Sequence, residues 1–288
     1  MTDTKRTTIP AAEALLHAPM PCLDHGFVTP LDYMGGDADI VAAARASYGP
    51  SGRPMQDDRS LLRYLKRHKH TGPFEMAEVK FLCRMPIFVA RQWIRTRTAN
   101  VNEMSLRYSQ PLDLYYVPAA EHIATQASDN KQGRGVQLEG AAAIRARALF
   151  IHGHRAEAER YAELADDLGV ARELARTVLP VSLYTQWVWK IDLHNLLHFL
   201  ELRLDPHAQY EIRVFAEAMA TFVRAWCPWS WEAFEEYTLG AVTFSATERR
   251  ALALRIYNPT HDAQTAATAV GLKGRELAEF LAKLEIKS

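Results

Sequence analysis

Residues 77–94 change periodicity at a single proline, and that change constrains the fold more than any other stretch. Ala77, Val79, Phe81, Cys83 and Met85 alternate with Glu78, Lys80, Leu82 and Arg84. A period of two marks a strand with one face buried. Pro86 follows where a helix can begin, because the N–H that it lacks is one a helix start leaves unbonded anyway. Ile87, Ala90, Arg91 and Ile94 then recur at helical spacing, with Gln92 and Arg95 three apart on a neighbouring stripe. Together with the helical patterns elsewhere, this predicts an α+β fold with helices packed on a small sheet.

The helix runs into Arg95-Thr96-Arg97-Thr98-Ala99-Asn100-Val101-Asn102-Glu103-Met104-Ser105-Leu106-Arg107-Tyr108-Ser109. Arg95, Arg97 and Arg107 supply planar, permanently charged groups suited to gripping phosphate. Asn102, Glu103 and Ser105 add partners for a base or ring edge. The residues therefore predict a site for one or more phosphorylated, heterocyclic ligands; the rival reading is a solvated, salt-bridged loop. The strand and helix next to the segment favour the ligand site, since rigid flanks position a loop.

Composition narrows the partners. Lys plus Arg and Asp plus Glu each number 34 in 288 residues, so no net field draws the chain to nucleic acid or an anionic membrane. Phosphate binding must come from local clustering. Cys22, Cys83 and Cys227 have no metal-type spacing and cannot all pair, which fits a reducing cytoplasm. No signal pattern and no membrane-length apolar run is present.

Along the chain, residues 1–24 read as an irregular lead-in, 25–237 as the main domain and 238–288 as a helical extension. Gly26–Met34 predicts a short strand, Asp39–Tyr48 an alanine-rich helix, and 49–58 a Gly/Pro/Asp loop. Ser60–His68 predicts a helix, 116–136 a loop most mobile at 129–135, and 137–168 a long polar helix closing near Gly169. A helix carrying Arg172 and Arg176 stops at Pro180, and Val181–Trp189 forms a second strand. Leu193, Leu196, Leu197 and Leu200 mark a helix ending near Arg203, and Pro206 starts another that Pro228 interrupts. Ser245-Ala246-Thr247-Glu248 has the pattern of a capping box. His152 and His154 are expected in solvent, and Trp187, Trp189, Trp226, Trp229 and Trp231 in the core or an interface.

The arginine run resembles the signature of the flavin-dependent thymidylate synthases, R-H-R, seven residues, then Ser, extended through N-E-x-S-x-R-Y. Arg95, Arg97 and Ser105 fall in register, and Asn102, Glu103, Arg107 and Tyr108 match the extension. His70-Thr71-Gly72-Pro73-Phe74-Glu75 is similar to the family's H-x-x-P-F-E, and Pro86–Trp93 to its P-x-F-V-x-R-Q-W helix. Ala175-Arg176, Leu179-Pro180, Leu183-Tyr184-Thr185, Phe199-Leu200, Leu202-Arg203 and His207-Ala208-Gln209 extend the likeness over residues 25–237. Thr96 stands where the family usually has His, and His198 where Asn is often found.

The resemblance implies a mostly antiparallel small sheet, a homotetramer with shared sites, and methylation of carbon 5 of a uridylate. Methylenetetrahydrofolate would donate the carbon, FAD would be the cofactor and NADPH its reductant. It implies a nucleotide site of Gln92, Trp93, Ile94, Arg95, Glu103, Met104, Ser105, Leu106, Arg107, Arg203 and, from a neighbouring subunit, Arg176. It implies FAD contacts at Thr71, Arg95, Thr96, Arg97, Glu103, Asp192, Leu193, His194 and His198, with His70 beside the flavin and folate and Tyr108 a packing residue. Arg203 would stabilise the N3-deprotonated ring, because an adjacent cation favours the anion. No cysteine need then be a nucleophile, and Cys83 reads as core. The substrate is expected to be dUMP, with UMP as the alternative, since a pocket that ignores a 2′-hydroxyl discriminates weakly. A non-catalytic nucleotide-binding protein is the rival from another class. His194 and His198 lack a third ligand, so no metal site is expected. Gly133-Arg134-Gly135 lacks the strand and third glycine of a dinucleotide fingerprint.

Overall fold

The computed structural model describes residues 6–47, 57–128, 133–257 and 260–284. Residues 49–56 of the expected loop at 49–58, and the first four residues, 129–132, of the expected mobile stretch at 129–135, lie outside them. The chain divides into two compact units, Met1–Glu235 and Glu236–Ser288.

In the first unit the strands are β1 (Met20–Cys22), β2 (Gly26–Met34), β3 (Glu78–Pro86), β4 (Asn100–Glu103), β5 (Ala124–Gln126), β6 (Arg134–Gln137) and β7 (Tyr184–Asp192). Five form an antiparallel sheet in the order β1-β2-β3-β7-β4, and β5 and β6 make a separate antiparallel hairpin. The alternation in β3 is realised as written: Val79, Phe81, Cys83 and Met85 are buried, and the residues between them are half-exposed. Val79 lies opposite Ile191, Phe81 opposite Trp189 and Cys83 opposite Trp187, so one face of the two central strands is continuous core.

The helices of this unit are α1 (Pro10–Glu13), α2 (Asp37–Ala46), α3 (Asp58–Arg67), α4 (Ile87–Trp93), α5 (Gly140–Ala162), α6 (Arg172–Ala175), α7 (Leu193–Leu204), α8 (Tyr210–Trp226) and α9 (Pro228–Phe234). Trp93 at the end of α4 fills the centre of the core. Its ring lies 5.4 Å from that of Trp187, 5.2 Å from Trp189, 5.2 Å from Phe199 and 5.9 Å from Phe215. Burying several large aromatics together supplies a major share of a core's stabilisation.

Several expectations are corrected. Residues 6–24 are not irregular throughout: Pro10 opens α1 and Met20–Cys22 pairs with β2. The buried face of α4 is Val89, Ala90 and Trp93, and Arg91 is exposed. The 116–136 segment holds a hairpin strand and the start of its partner. The helix expected from Pro206 begins at Tyr210, because Asp205 ties a turn: its Oδ1 accepts from the His207 N–H at 2.7 Å and its carbonyl from Ala208 at 2.8 Å. His154 is half-buried, its Nε2 2.9 Å from Ser182 Oγ and its ring stacked on Tyr115 at 5.1 Å. Trp229 is 40% exposed, unlike its buried neighbour Trp231.

The second unit holds α10 (Ala246–Tyr257), α11 (Ala263–Ala269) and α12 (Gly274–Leu284) around a small core of Ala251, Ala267, Leu272 and Phe280. The capping box forms: the Ser245 N–H donates to the Glu248 carboxylate at 2.6 Å, and the Glu248 N–H to Ser245 Oγ at 3.3 Å. Among the described residues no helix is long and apolar enough to cross a membrane.

Candidate active site

The strand register brings the segments that carry most of the expected flavin residues to one end of the sheet, while Glu103 lies at the other end of β4. Glu78 opens β3 opposite Asp192, which closes β7, and Asn100 opens β4 opposite Lys190. Segments leading into β3 and β4 and out of β7 therefore share that end. Thr71 begins the turn that enters β3, its carbonyl accepting from the Phe74 N–H at 2.9 Å. Arg95, Thr96 and Arg97 follow α4 and precede β4, with the Thr96 N–H bonded to the Trp93 carbonyl at 2.9 Å. Leu193 is bound through its N–H to the Ala77 carbonyl at 2.8 Å.

Arg95 and Arg97 are exposed and make no ion pair or hydrogen bond among the described residues. Two guanidinium groups without carboxylate partners, two residues apart, suit a pyrophosphate. Asp192 caps α7, accepting from the Asn195 N–H at 2.9 Å and from Asn195 Nδ2 at 2.7 Å. His194 is half-buried, and exposed His198 lies 3.7 Å from Glu201. The ring of His70 stacks on Tyr64 at 6.0 Å. Leu193 is fully buried. Among the described residues no group of three or more His, Cys, Asp or Glu is arranged to hold a metal ion.

The expected nucleotide residues begin at the other end of β4. Glu103 pairs with Trp187, and its carboxylate accepts from the Thr185 hydroxyl at 2.6 Å. The Met104 N–H donates to the Gln186 carbonyl at 2.9 Å. Ser105 organises the turn beyond, its carbonyl accepting from the N–H of Tyr108 at 3.1 Å and of Ser109 at 3.0 Å. Arg107 reaches the Glu173 carboxylate at 3.0 Å, and Arg176 donates to the Glu173 carbonyl at 3.4 Å. Met104 and Leu106 are half-buried. Tyr108, expected to pack, is 78% exposed. Trp93 is wholly core, and Ile94 packs against that core, so the indole does not face a ligand surface.

Arg203 sits on the last turn of α7, half-buried, with a buried Nε that has no partner. Burial draws its guanidinium below its usual value. No hydrogen bond or ion pair joins it to Ser105, Arg107 or Arg176 among the described residues. Gln92, on the last turn of α4, donates to Gln209 just before α8. Thr185, Glu173, Gln209 and Glu211 hold these candidates in place and were missed as such by the sequence reading; each acts across tens of residues or through a tertiary contact that leaves no local pattern.

The chain is 49% identical over 284 residues to the flavin-dependent thymidylate synthase of Ruegeria pomeroyi, which covers 96% of this chain and 91% of that one. A family model described as thymidylate synthase complementing protein matches residues 30–229. The chain belongs to the flavin-dependent thymidylate synthase family. The family's enzyme from Gluconobacter oxydans is 47% identical, covering 98% of this chain and 92% of its own. Among solved structures, the UMP/dUMP methylase PolB of Streptomyces cacaoi bound with 5-Br UMP superposes with a TM-score of 0.68 at 34% identity, over 74% of this chain and 95% of that one. PolB bound with 5-Br dUMP gives 0.68 at 33%, over 76% and 98%. Membership of this methyltransferase family, the antiparallel sheet with packed helices, and a nucleotide as substrate class agree with the sequence reading.

Proposed function

We propose that this enzyme converts dUMP to dTMP, with methylenetetrahydrofolate as carbon donor, NADPH as reductant and FAD as cofactor. The observation that carries the reading is the half-buried Arg203 with its unpartnered Nε. An unpaired buried donor is costly unless a ligand completes it, and a cation beside N3 of the pyrimidine favours the deprotonated ring. Loss of the N3 proton raises electron density at carbon 5, where the methyl group is added.

The cysteines support this route over a thiolate adduct. All three are buried. Burial pushes Cys22 up to about 12, and holds Cys83 and Cys227 well above the usual thiol range. A thiol in that state is a poor nucleophile at neutral pH.

Arg95 and Arg97, with Thr71 and Thr96, would hold FAD through its pyrophosphate and neighbouring polar atoms. Bound there in reduced form, FAD would supply the hydride that side chains cannot. Gln92, Glu103, Ser105 and Arg107 would orient the nucleotide. Arg176 would reach the phosphate from a neighbouring subunit, and Glu173, which pairs with Arg107 and accepts from Arg176 through its carbonyl, would steady both guanidinium groups. A homotetramer with shared sites is consistent with α5, which buries only Tyr161 and leaves Ile144, Leu149, Phe150 and Ile151 exposed. Three unpaired thiols suit the cytoplasm.

The likeness to a UMP/dUMP methylase favours a second reading, UMP as substrate. Turnover of dUMP and UMP side by side by the purified protein tests both: exclusive turnover of UMP overturns the first. A colourless protein that binds nucleotide but cannot be reconstituted with flavin would instead support a non-catalytic role.

A further inference from the structure

Gln92 is held by a line of polar contacts that ends on a buried charge. Its Nε2 donates to Gln209 Oε1. Gln209 donates through its own Nε2 to Glu211 Oε2 at 2.9 Å. The other Glu211 oxygen accepts from the Tyr116 hydroxyl at 2.8 Å and from Arg134 of β6. Glu211 lies in the first turn of α8 and is 2% exposed. Burial pushes its carboxyl up, but the Tyr116 hydroxyl, the Arg134 charge and the Gln209 amide outweigh burial and hold it below its ordinary value. Glu211 is therefore ionised at neutral pH, and an ionised carboxylate accepts hydrogen bonds and donates none.

That one-way character sets each amide in turn. Gln209 must direct its NH2 at Glu211, which leaves its carbonyl for Gln92. Gln92 must then direct its NH2 at Gln209, and its Oε1 has no protein partner among the described residues. Gln92 is half-buried and three residues from Arg95.

We infer that Glu211, acting through Gln209, fixes Gln92 as a hydrogen-bond acceptor for the sugar hydroxyl of the bound nucleotide. The inference rests on the nucleotide reading of the site given above. A uridylate offers donors only at N3–H and at its sugar hydroxyls; its phosphate and ring carbonyls accept. N3 gives up its proton in the activation proposed for Arg203, so a hydroxyl is the one donor that persists through the reaction. Were Gln92 free to turn, it could offer an NH2 to the phosphate or a ring carbonyl equally well. The buried carboxylate removes that choice, and Glu211 and Gln209 are positioning residues.

The test compares binding of dUMP and of 2′,3′-dideoxyuridine 5′-monophosphate, by calorimetry on the purified full-length protein loaded with FAD. Wild type should bind the dideoxy analogue roughly tenfold more weakly, because the Gln92 oxygen loses its partner. Gln209→Met breaks the relay at an exposed position and should shrink that ratio to about two or less. Glu211→Gln should do the same, and Gln209→Met carries the test alone where that variant does not fold. A purely structural role for the relay weakens both ligands together and leaves the ratio at its wild-type value, which overturns the inference. A wild-type ratio near one also overturns it. Failure of wild type to bind either nucleotide removes the functional reading and this inference with it, whereas binding with an unchanged ratio removes this inference alone.

Discussion

The Thr185 hydroxyl and the Glu103 carboxylate meet at 2.6 Å, joining the central strand β7 to the edge strand β4. All four residues of β4 are exposed, and this bond orients the one carboxylate among them. Thr185→Val keeps the side chain's shape and removes the donor. The KM for nucleotide should rise by roughly tenfold, the scale of one hydrogen bond to a charged group. The fall in kcat should be smaller. An unchanged KM would show that Glu103 needs no such support.

Arg203→Ala should lower kcat by at least about a thousandfold, comparable to removing a preorganised electrostatic group from an active site. Flavin absorbance should persist, because Arg203 lies on the last turn of α7, far along the helix from Asp192. Arg203→Lys should recover part of the rate, since the charge survives although the planar fork is lost. Turnover within about tenfold of wild type for Arg203→Ala would place ring activation on another group.

Acid sensitivity should reside partly in Glu211. Its folded carboxyl titrates below the ordinary 4.5, so as pH falls the unfolded chain takes up that proton first. Its stabilising contribution is complete at neutral pH and is lost as pH drops below that ordinary value toward the folded one. Melting temperature plotted against pH should therefore fall less steeply in the acid range for Glu211→Gln than for wild type. Parallel curves would count against a stabilising ionised Glu211.

Ser245→Ala removes half of the capping box at α10. The loss of about 1 kcal/mol expected for an N-cap corresponds to roughly fivefold faster amide exchange within Ala246–Tyr257. Exchange in β3 and β7 should be unaltered. Equal acceleration in both units would mean that the cap acts on global rather than local stability.

What could be read from the chain, and what could not, divides by range of interaction. The alternation in β3 and the leucine spacing of α7 are local, and both elements appear where they were expected. The stripe Ile87, Ala90, Arg91 and Ile94 differs from the buried face of α4 because seven residues make barely two turns, too few for periodicity to choose between Arg91 and Trp93. The aromatic rings from β7, α7 and α8 made the choice instead. Pro206 looked like a helix start, but the Asp205 side chain competed for the backbone and won a turn. The local sequence points His154 to solvent because Ser182 and Tyr115, which cover it, are far away in sequence. Within the candidate site, the arginines were visible as a motif. The Glu211 relay was not, since Tyr116 and Arg134 reach that carboxylate from 95 and 77 residues away.

The indoles of Trp187 and Trp189 each lie edge-on to that of Trp93 deep in the interior. Rings so near pass excitation among themselves before emitting, and they are shielded from water, so this cluster should fluoresce at short wavelength as a unit. The protein thus carries its own optical gauge of whether strand β7 and helix α4 remain docked, and every variant described above can be checked for integrity without adding a label.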